Sequence, residues 1–218
     1  MRPQPNPRVV GAMMALAALT VITILSVSAA TAKSQSAHIA SVADIQPRRS
    51  VLNVMTGRRA SVAGSVAPGD AGRRVSLQKR HGSRWSTIAH AVTGAGGSFR
   101  VSYRPPRPQS AALRVVAGGH REAIGRLNAY RRATVSWYGP GLYGNKLGCG
   151  GRLTPSTIGV ANKALPCGTR LTLRKGSHIV RARVVDRGPY VGGREFDLTS
   201  ATRRRLHFSG VGQIGVTR

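Results

Sequence analysis

Short runs in which apolar and polar residues alternate, each cut off by glycine or proline, fill most of this chain, and they restrict its fold more than any other feature. Residues two apart along a strand point to one face, so such runs can bury a side only by pairing into sheets. Over residues 48–131 the runs are ASVAGSV, RRVSLQKR, RWSTIAHAV, GSFRVSY, AALRVVA and EAIGRLN, with APGDAG, HGS, GAGG and RPPRPQS between them. Regular strands punctuated in this way predict a small β-sandwich. From Ala133 onward glycine becomes frequent, and TRLTLRKGSHIVRARVVD reads as two strands around Lys175 and Gly176. One helix-like run, LTSATRRRLHF, interrupts the strands; Thr199 or Ser200 is its N-cap, and Arg203 to Arg205 lie where the helix dipole favours cations. GVGQIGVTR closes the chain as a last strand, so the fold class is all-β.

The start of the chain has a different character. Arg2 and Arg8 precede an apolar run from Val9 to about Val27, and Ala30-Thr31-Ala32 offers a small-x-small cleavage site. This predicts an export signal over 1–32, a mature chain starting near Lys33 and a Ser/Ala/Gln-rich linker over 33–47. The alternative is an uncleaved signal anchor, because the run approaches the length that spans a bilayer. Both place the remainder outside the cytoplasm. The two cysteines, Cys149 and Cys167, lie far from the apolar run, which excludes a lipid anchor attached there. In an exported chain without histidines at ligand spacing, they are expected to form a disulfide worth about 3 kcal/mol rather than a metal site, two buried free thiols being the other reading. No metal and no cofactor is expected.

Lys and Arg number 34 against six Asp and Glu, a formal net charge of +28. Outside a cell such a charge points to anionic partners, phosphate-bearing wall polymers or lipid head groups, or else it is a solvated surface of arginine-biased composition. Nucleic acid is the runner-up partner; export argues against it, and no aromatic stripe is set out for stacking bases.

Against this background, three of the six acids fall within VVDRGPYVGGREFDL: Asp186, Glu195 and Asp197. Continuing the alternation of Val180, Ala182 and Val184 assigns Asp186 to the sheltered apolar face at a strand end, where desolvation disfavours an ionised carboxyl, as a general acid requires. The competing reading is a turn in which Asp186 accepts backbone N–H bonds. Phe196 and Leu198 read as core, so Asp197 faces outward, to orient a ligand or steady the following helix. Glu195 beside Arg194 reads as a solvated pair.

SWYG, ANKALPCGTRLTL, VVDRGPYVGGREFDLT and GVGQIGV, in this order, resemble the six-stranded double-psi β-barrel of rare lipoprotein A (RlpA)-like proteins, to which expansins carry a related barrel. The resemblance covers 133–218. It implies a groove for wall glycan, lytic transglycosylation of peptidoglycan or expansin-like binding, and Asp186 and Asp197 as the family carboxylates. Trp137 and Tyr138 would stack on sugar, or form one core and one rim aromatic; Asn162, Arg187 and Tyr190 complete the expected substrate contacts. The chain departs from the family where Gly151 replaces a Glu, Asn162 a His and Thr154 an Asp. Neither Gly nor Asn can exchange a proton at neutral pH. The earlier segment VSLQKRHGSRWSTIAHAVTGAGGSFRVSY resembles immunoglobulin-like repeats of bacterial surface proteins, which implies a spacing or adhesion domain over 48–131 with Trp85 in its core.

Overall fold

The computed structural model describes residues 44–218; the expected signal segment and most of the expected linker lie outside them. Strands β1 (Asp44–Val51), β3 (Ala60–Ala67) and β6 (Ser98–Tyr103) pair antiparallel in one sheet. Strand β2 (Asn53–Met55) belongs to a second, with β4 (Arg74–His81), β5 (Arg84–Val92), β7 (Gln109–Ala117) and β8 (His120–Tyr138). Alternate residues of both sheets meet in one apolar core that includes Val62, Val66, Phe99, Val101, Val75, Leu77, Val115 and Leu127. The sequence runs read as strands all occur. Strands β1 and β2 had no such signal; β1 starts at Asp44, inside the segment read as linker, and buries a single side chain, Ile45. It is an edge strand whose register shifts between Pro47 and Arg49, where a missing N–H costs least. Trp85 is not in the core. It lies half-buried on the outer edge strand β5, with the Arg114 guanidinium 4.2 Å above its ring.

The second half closes on itself. Strands β9 (Gly159–Ala161), β10 (Arg170–Lys175), β11 (His178–Asp186), β12 (Phe196–Thr199) and β13 (Gly212–Thr217) join the end of β8 in the ring β8-β13-β10-β11-β9-β12, and β12 returns to β8. Two of its pairings, β9 with β11 and β12 with β8, are parallel, and the other four are antiparallel. Val135, Val160, Leu173, Val184, Phe196, Leu198 and Val216 fill the interior. Helix α1 (Ser200–Arg205) follows β12 directly, with Thr199 as the N-cap accepting from Thr202 N. Thr199 and Thr202 also hold the start of β9: Thr202 Oγ1 accepts from Gly159 N at 2.9 Å, and Thr199 Oγ1 donates to the Thr157 carbonyl at 2.6 Å.

The boundary read at 131–133 falls inside β8. This one strand of 19 residues pairs with β7 and β2 in its first half and with β13 and β12 in its second, so the two sheet systems join without a linker. Among the described residues, no helix is long and apolar enough to cross a membrane.

Candidate functional site

The barrel brings Asp186 and Asp197 to neighbouring positions by a route that simple alternation does not show. On β9, Val160 packs into the core and Ala161 takes the opposite face. Val184 is the partner of Val160, but the register then shifts, and Asp186 rather than Val185 is the partner of Ala161. This is a bulge: two residues of β11 oppose one of β9, and the strand's facing is reversed beyond it. Asp186 therefore does not continue the sheltered face of Val180, Ala182 and Val184, as period two implied. It shares the face of Ala161, and Asp197 on β12 is also in register with Ala161, from the other side. The two acids flank one alanine across three strands, with Cα atoms about 10 Å apart at the usual strand spacing.

Each carboxylate is held. Asp186 Oδ1 accepts from Gly148 N at 2.7 Å and from Arg187 N at 2.8 Å. These are the backbone bonds of the turn reading, and they anchor the loop before β9 to the end of β11. A glycine is needed at 148 because a Cβ there would lie 2.8 Å from Arg187 Cγ and 3.1 Å from Asp186 Oδ1. Asp197 Oδ1 accepts from Ser136 Oγ, its cross-strand partner, and Ser136 Oγ accepts in turn from Arg194 Nη1 at 2.8 Å. Arg194 Nε lies 3.9 Å from Asp197 Oδ1.

Tyr138 belongs to this face, two residues after Ser136. Its hydroxyl is buried and has no regular hydrogen-bond partner. Burial pushes the phenol well above its ordinary pKa, the Asp186 charge adds to the rise, and the Asp197 charge adds again. Tyr138 is thus a neutral donor within electrostatic reach of both acids. Trp137 points the other way. It packs on the barrel core, and its free face is covered by the Arg203 guanidinium at 4.2 Å, so it is the core aromatic of the pair and not a sugar platform.

The remaining expected contacts divide into structural and exposed. Asn162 is buried: Oδ1 accepts from Ala164 N and Leu165 N, at 3.0 and 2.7 Å, and Nδ2 donates to the Glu195 carbonyl at 3.0 Å. It shapes its own loop. Arg187 braces the same loop, donating from Nη1 to the Asn162 and Leu165 carbonyls at 3.0 and 2.7 Å. Tyr190 is 81% exposed, next to the exposed Val191. Glu195 does not pair with Arg194; both its oxygens accept from Arg131, which raises the pKa of that guanidinium. Gly151 is exposed at φ +76°, with open space where a side chain would be, and Thr154 closes a small hydroxyl turn with Ser156 and Thr157. Cys149 and Cys167 are joined, with Cα atoms 5.5 Å apart. The bridge ties two loops that dock on the end of β11, through Cys149 N to the Val185 carbonyl and Gly168 N to the Val184 carbonyl. Among the described residues, no group of three or more His, Cys, Asp or Glu is placed to hold a metal ion.

Six strands closed through two parallel pairs, with acids at the ends of β11 and in β12, define a double-psi β-barrel. A family model described as "Lytic transglycolase" matches residues 131–218. A probable endolytic peptidoglycan transglycosylase RlpA of Synechocystis sp. is 36% identical over 111 residues, 49% of this chain and 34% of that protein. Its namesake in Aquifex aeolicus is 40% identical over 79 residues, 35% of each chain. The endolytic peptidoglycan transglycosylase RlpA of Campylobacter jejuni is 35% identical over 74 residues, 33% of this chain and 27% of that one. The C-terminal domain is an RlpA-like double-psi β-barrel. The chain spans about a third of the length of these relatives.

Proposed function

We propose that this chain is an extracytoplasmic bacterial wall protein whose barrel lays peptidoglycan glycan strands across the face of Asp186, Tyr138 and Asp197. The observation that carries the reading is the bulge that turns Asp186 onto the face of Asp197, with a neutral phenol in reach of both. Carboxylates accept from sugar hydroxyls, and a phenol that stays protonated donates to them. Tyr190 and Val191 add an exposed apolar rim on which a sugar ring can rest. The excess of cations attracts anionic wall polymers, and the N-terminal sheets, read as an immunoglobulin-like sandwich, space the barrel from an exported N-terminus. In this reading the protein binds and loosens wall without cleaving it, since Gly151 and Asn162 supply no proton.

A second reading, lytic transglycosylation, is favoured by Asp186 itself. One carboxyl can serve: it protonates the glycosidic oxygen as the bond to C1 breaks, then takes the proton of the sugar's own 6-hydroxyl as that oxygen attacks C1, which closes an anhydro ring and regenerates the acid. The test incubates the protein with intact and denuded wall and follows both pelleting and released anhydro-muropeptides. Pelleting without release, weakened by Asp197→Asn, supports binding. Release that Asp186→Asn abolishes while pelleting persists establishes the second reading. Neither pelleting nor release removes both.

A further inference from the structure

A cavity of about 570 Å³ lies where the sandwich meets the barrel, and none of Asp186, Tyr138 and Asp197 lines it. Five arginines line it: Arg126 from β8, Arg170 from β10, Arg181 and Arg183 from β11, and Arg218. No acid lines the cavity, and none of the five takes part in an ion pair among the described residues. Arg170 and Arg183 are direct cross-strand partners on β10 and β11, and Arg181 is two residues along on the same face. Like charges placed opposite one another destabilise a strand pair. The three are exposed, and the one described hydrogen bond from their side chains is a long one, Arg183 Nη1 to the Gly168 carbonyl at 3.5 Å. The fold thus gathers cations from separate stretches of sequence into a concave site with no Asp or Glu side chain in its lining.

We infer that this cleft binds a phosphodiester-linked polyol polymer. A guanidinium presents a planar fork that fits a phosphate bidentately. Arg181 and Arg183 stand in a row about 6.6 Å apart along the strand, with Arg170 about 5 Å to the side, a spacing that fits phosphates recurring along a chain. A ligand that uses the row must carry repeated charges on a thin, flexible backbone. No aromatic side chain lines the cavity, so the stacking platform on which single-stranded nucleic acid depends is missing from it. The inference rests on the wall reading only for where such a polymer is met.

The test measures binding of the exported chain to poly(glycerol phosphate), with polygalacturonate and oligothymidylate as comparison polyanions. The triple variant Arg170→Gln, Arg181→Gln, Arg183→Gln should weaken poly(glycerol phosphate) binding at least about tenfold and reduce the slope of log K against log salt by about 2, at roughly 0.7 per lost phosphate contact. A control triple of equal charge change at exposed positions of the sandwich, Arg49→Gln, Arg84→Gln, Arg100→Gln, should stay within about twofold, far less than three lost phosphate contacts would give. Thermal melts establish that both variants fold, and Arg181→Glu alone provides a second, milder perturbation. Equal weakening by the two triples, or equal affinity for polygalacturonate or oligothymidylate, overturns the inference. So does absence of poly(glycerol phosphate) binding in a parent that still pellets with phosphate-free peptidoglycan, whereas a parent that fails to pellet overturns the wall reading instead.

Discussion

Alkaline pH should unfold this protein through two tyrosines, one of them at the candidate site. Tyr138 is held far above its ordinary pKa by burial and then by Asp186 and Asp197. Tyr130, fully buried with its hydroxyl donating to Asn53 Oδ1 at 3.0 Å, is pushed up to about 12 by burial, which the nearby Arg174 charge only partly offsets. In the unfolded chain both phenols titrate near about 10. The folded values are the higher ones, so each tyrosine's contribution is complete below about pH 10 and is lost as the pH climbs from there toward the folded value. The loss is about 1.4 kcal/mol per pH unit per tyrosine, or about 4 kcal/mol for the pair at about pH 11.5 relative to neutral. Urea unfolding followed by tryptophan fluorescence across this range reads the stability, and tyrosinate absorbance reports the protons. Their absorbance should rise together with unfolding, not before it. Tyr138→Phe should remove about half of the loss and leave the Tyr130 half in place. An unchanged pH slope in that variant would show that Tyr138 is not held protonated beside two carboxylates, and the geometry argued for the site would fall with it.

Reducing the Cys149–Cys167 bridge, which closes a separation of 18 residues, should cost about 3 kcal/mol, read as a lower denaturation midpoint with the m-value checked for change. Arg187→Lys should destabilise by about 1 to 3 kcal/mol, because the fork reaches the Asn162 and Leu165 carbonyls from Nη1 and Cys167 Sγ from Nη2, and a single ammonium nitrogen cannot serve both ends; a melting temperature equal to the parent's would contradict this. Gly151→Glu has room for its side chain but must hold φ near +76°, so it should lower stability by about 1 kcal/mol; if the missing acid is what silences cleavage, anhydro-muropeptide release should appear or rise. Retention on intact wall should fall steeply between about 0.1 M and 1 M salt, as the Debye length shrinks from about 10 Å to about 3 Å, and salt-independent retention would make the net charge incidental.

Alternation and turn residues were sufficient to locate β3 to β7, the β10–β11 hairpin, the short capped helix and the closing strand, because each of these buries one face and ends at glycine, proline or a cap. They failed where a strand buries almost nothing, as in β1, and where one extra residue changes a strand's facing, as between Val184 and Asp186. The second failure concerned the site directly: a count by two assigned Asp186 to the wrong face, and the register with Ala161 that brings it beside Asp197 arises only from pairing with β9. Asp197 was legible because Phe196 and Leu198 fix the phase of β12 without a bulge. Asn162 and Glu195 were misread because their partners, the Ala164 and Leu165 amides and Arg131, depend on how loops and β8 come together. Of the arginine cleft only the alternation of Arg181 and Arg183 along β11 was legible, since Arg126, Arg170 and Arg218 join them only in the folded chain.

Strand β8 also makes the molecule a lever. In a chain tethered at its N-terminal end and caught on wall at its barrel, load passing from the first half to the second would cross along the single strand β8. At that crossing tension would pass as shear into the ladders β8 makes with β13 and β12, where many hydrogen bonds resist together. Ser136 and Tyr138 lie on the terminal stretch of that strand, beside Asp197 and Thr199. A pull large enough to shift β8 by a fraction of a residue would move the Ser136 hydroxyl and the Tyr138 phenol past the carboxylates they attend. Grip on glycan would in that case depend on the mechanical state of the wall as well as on its chemistry.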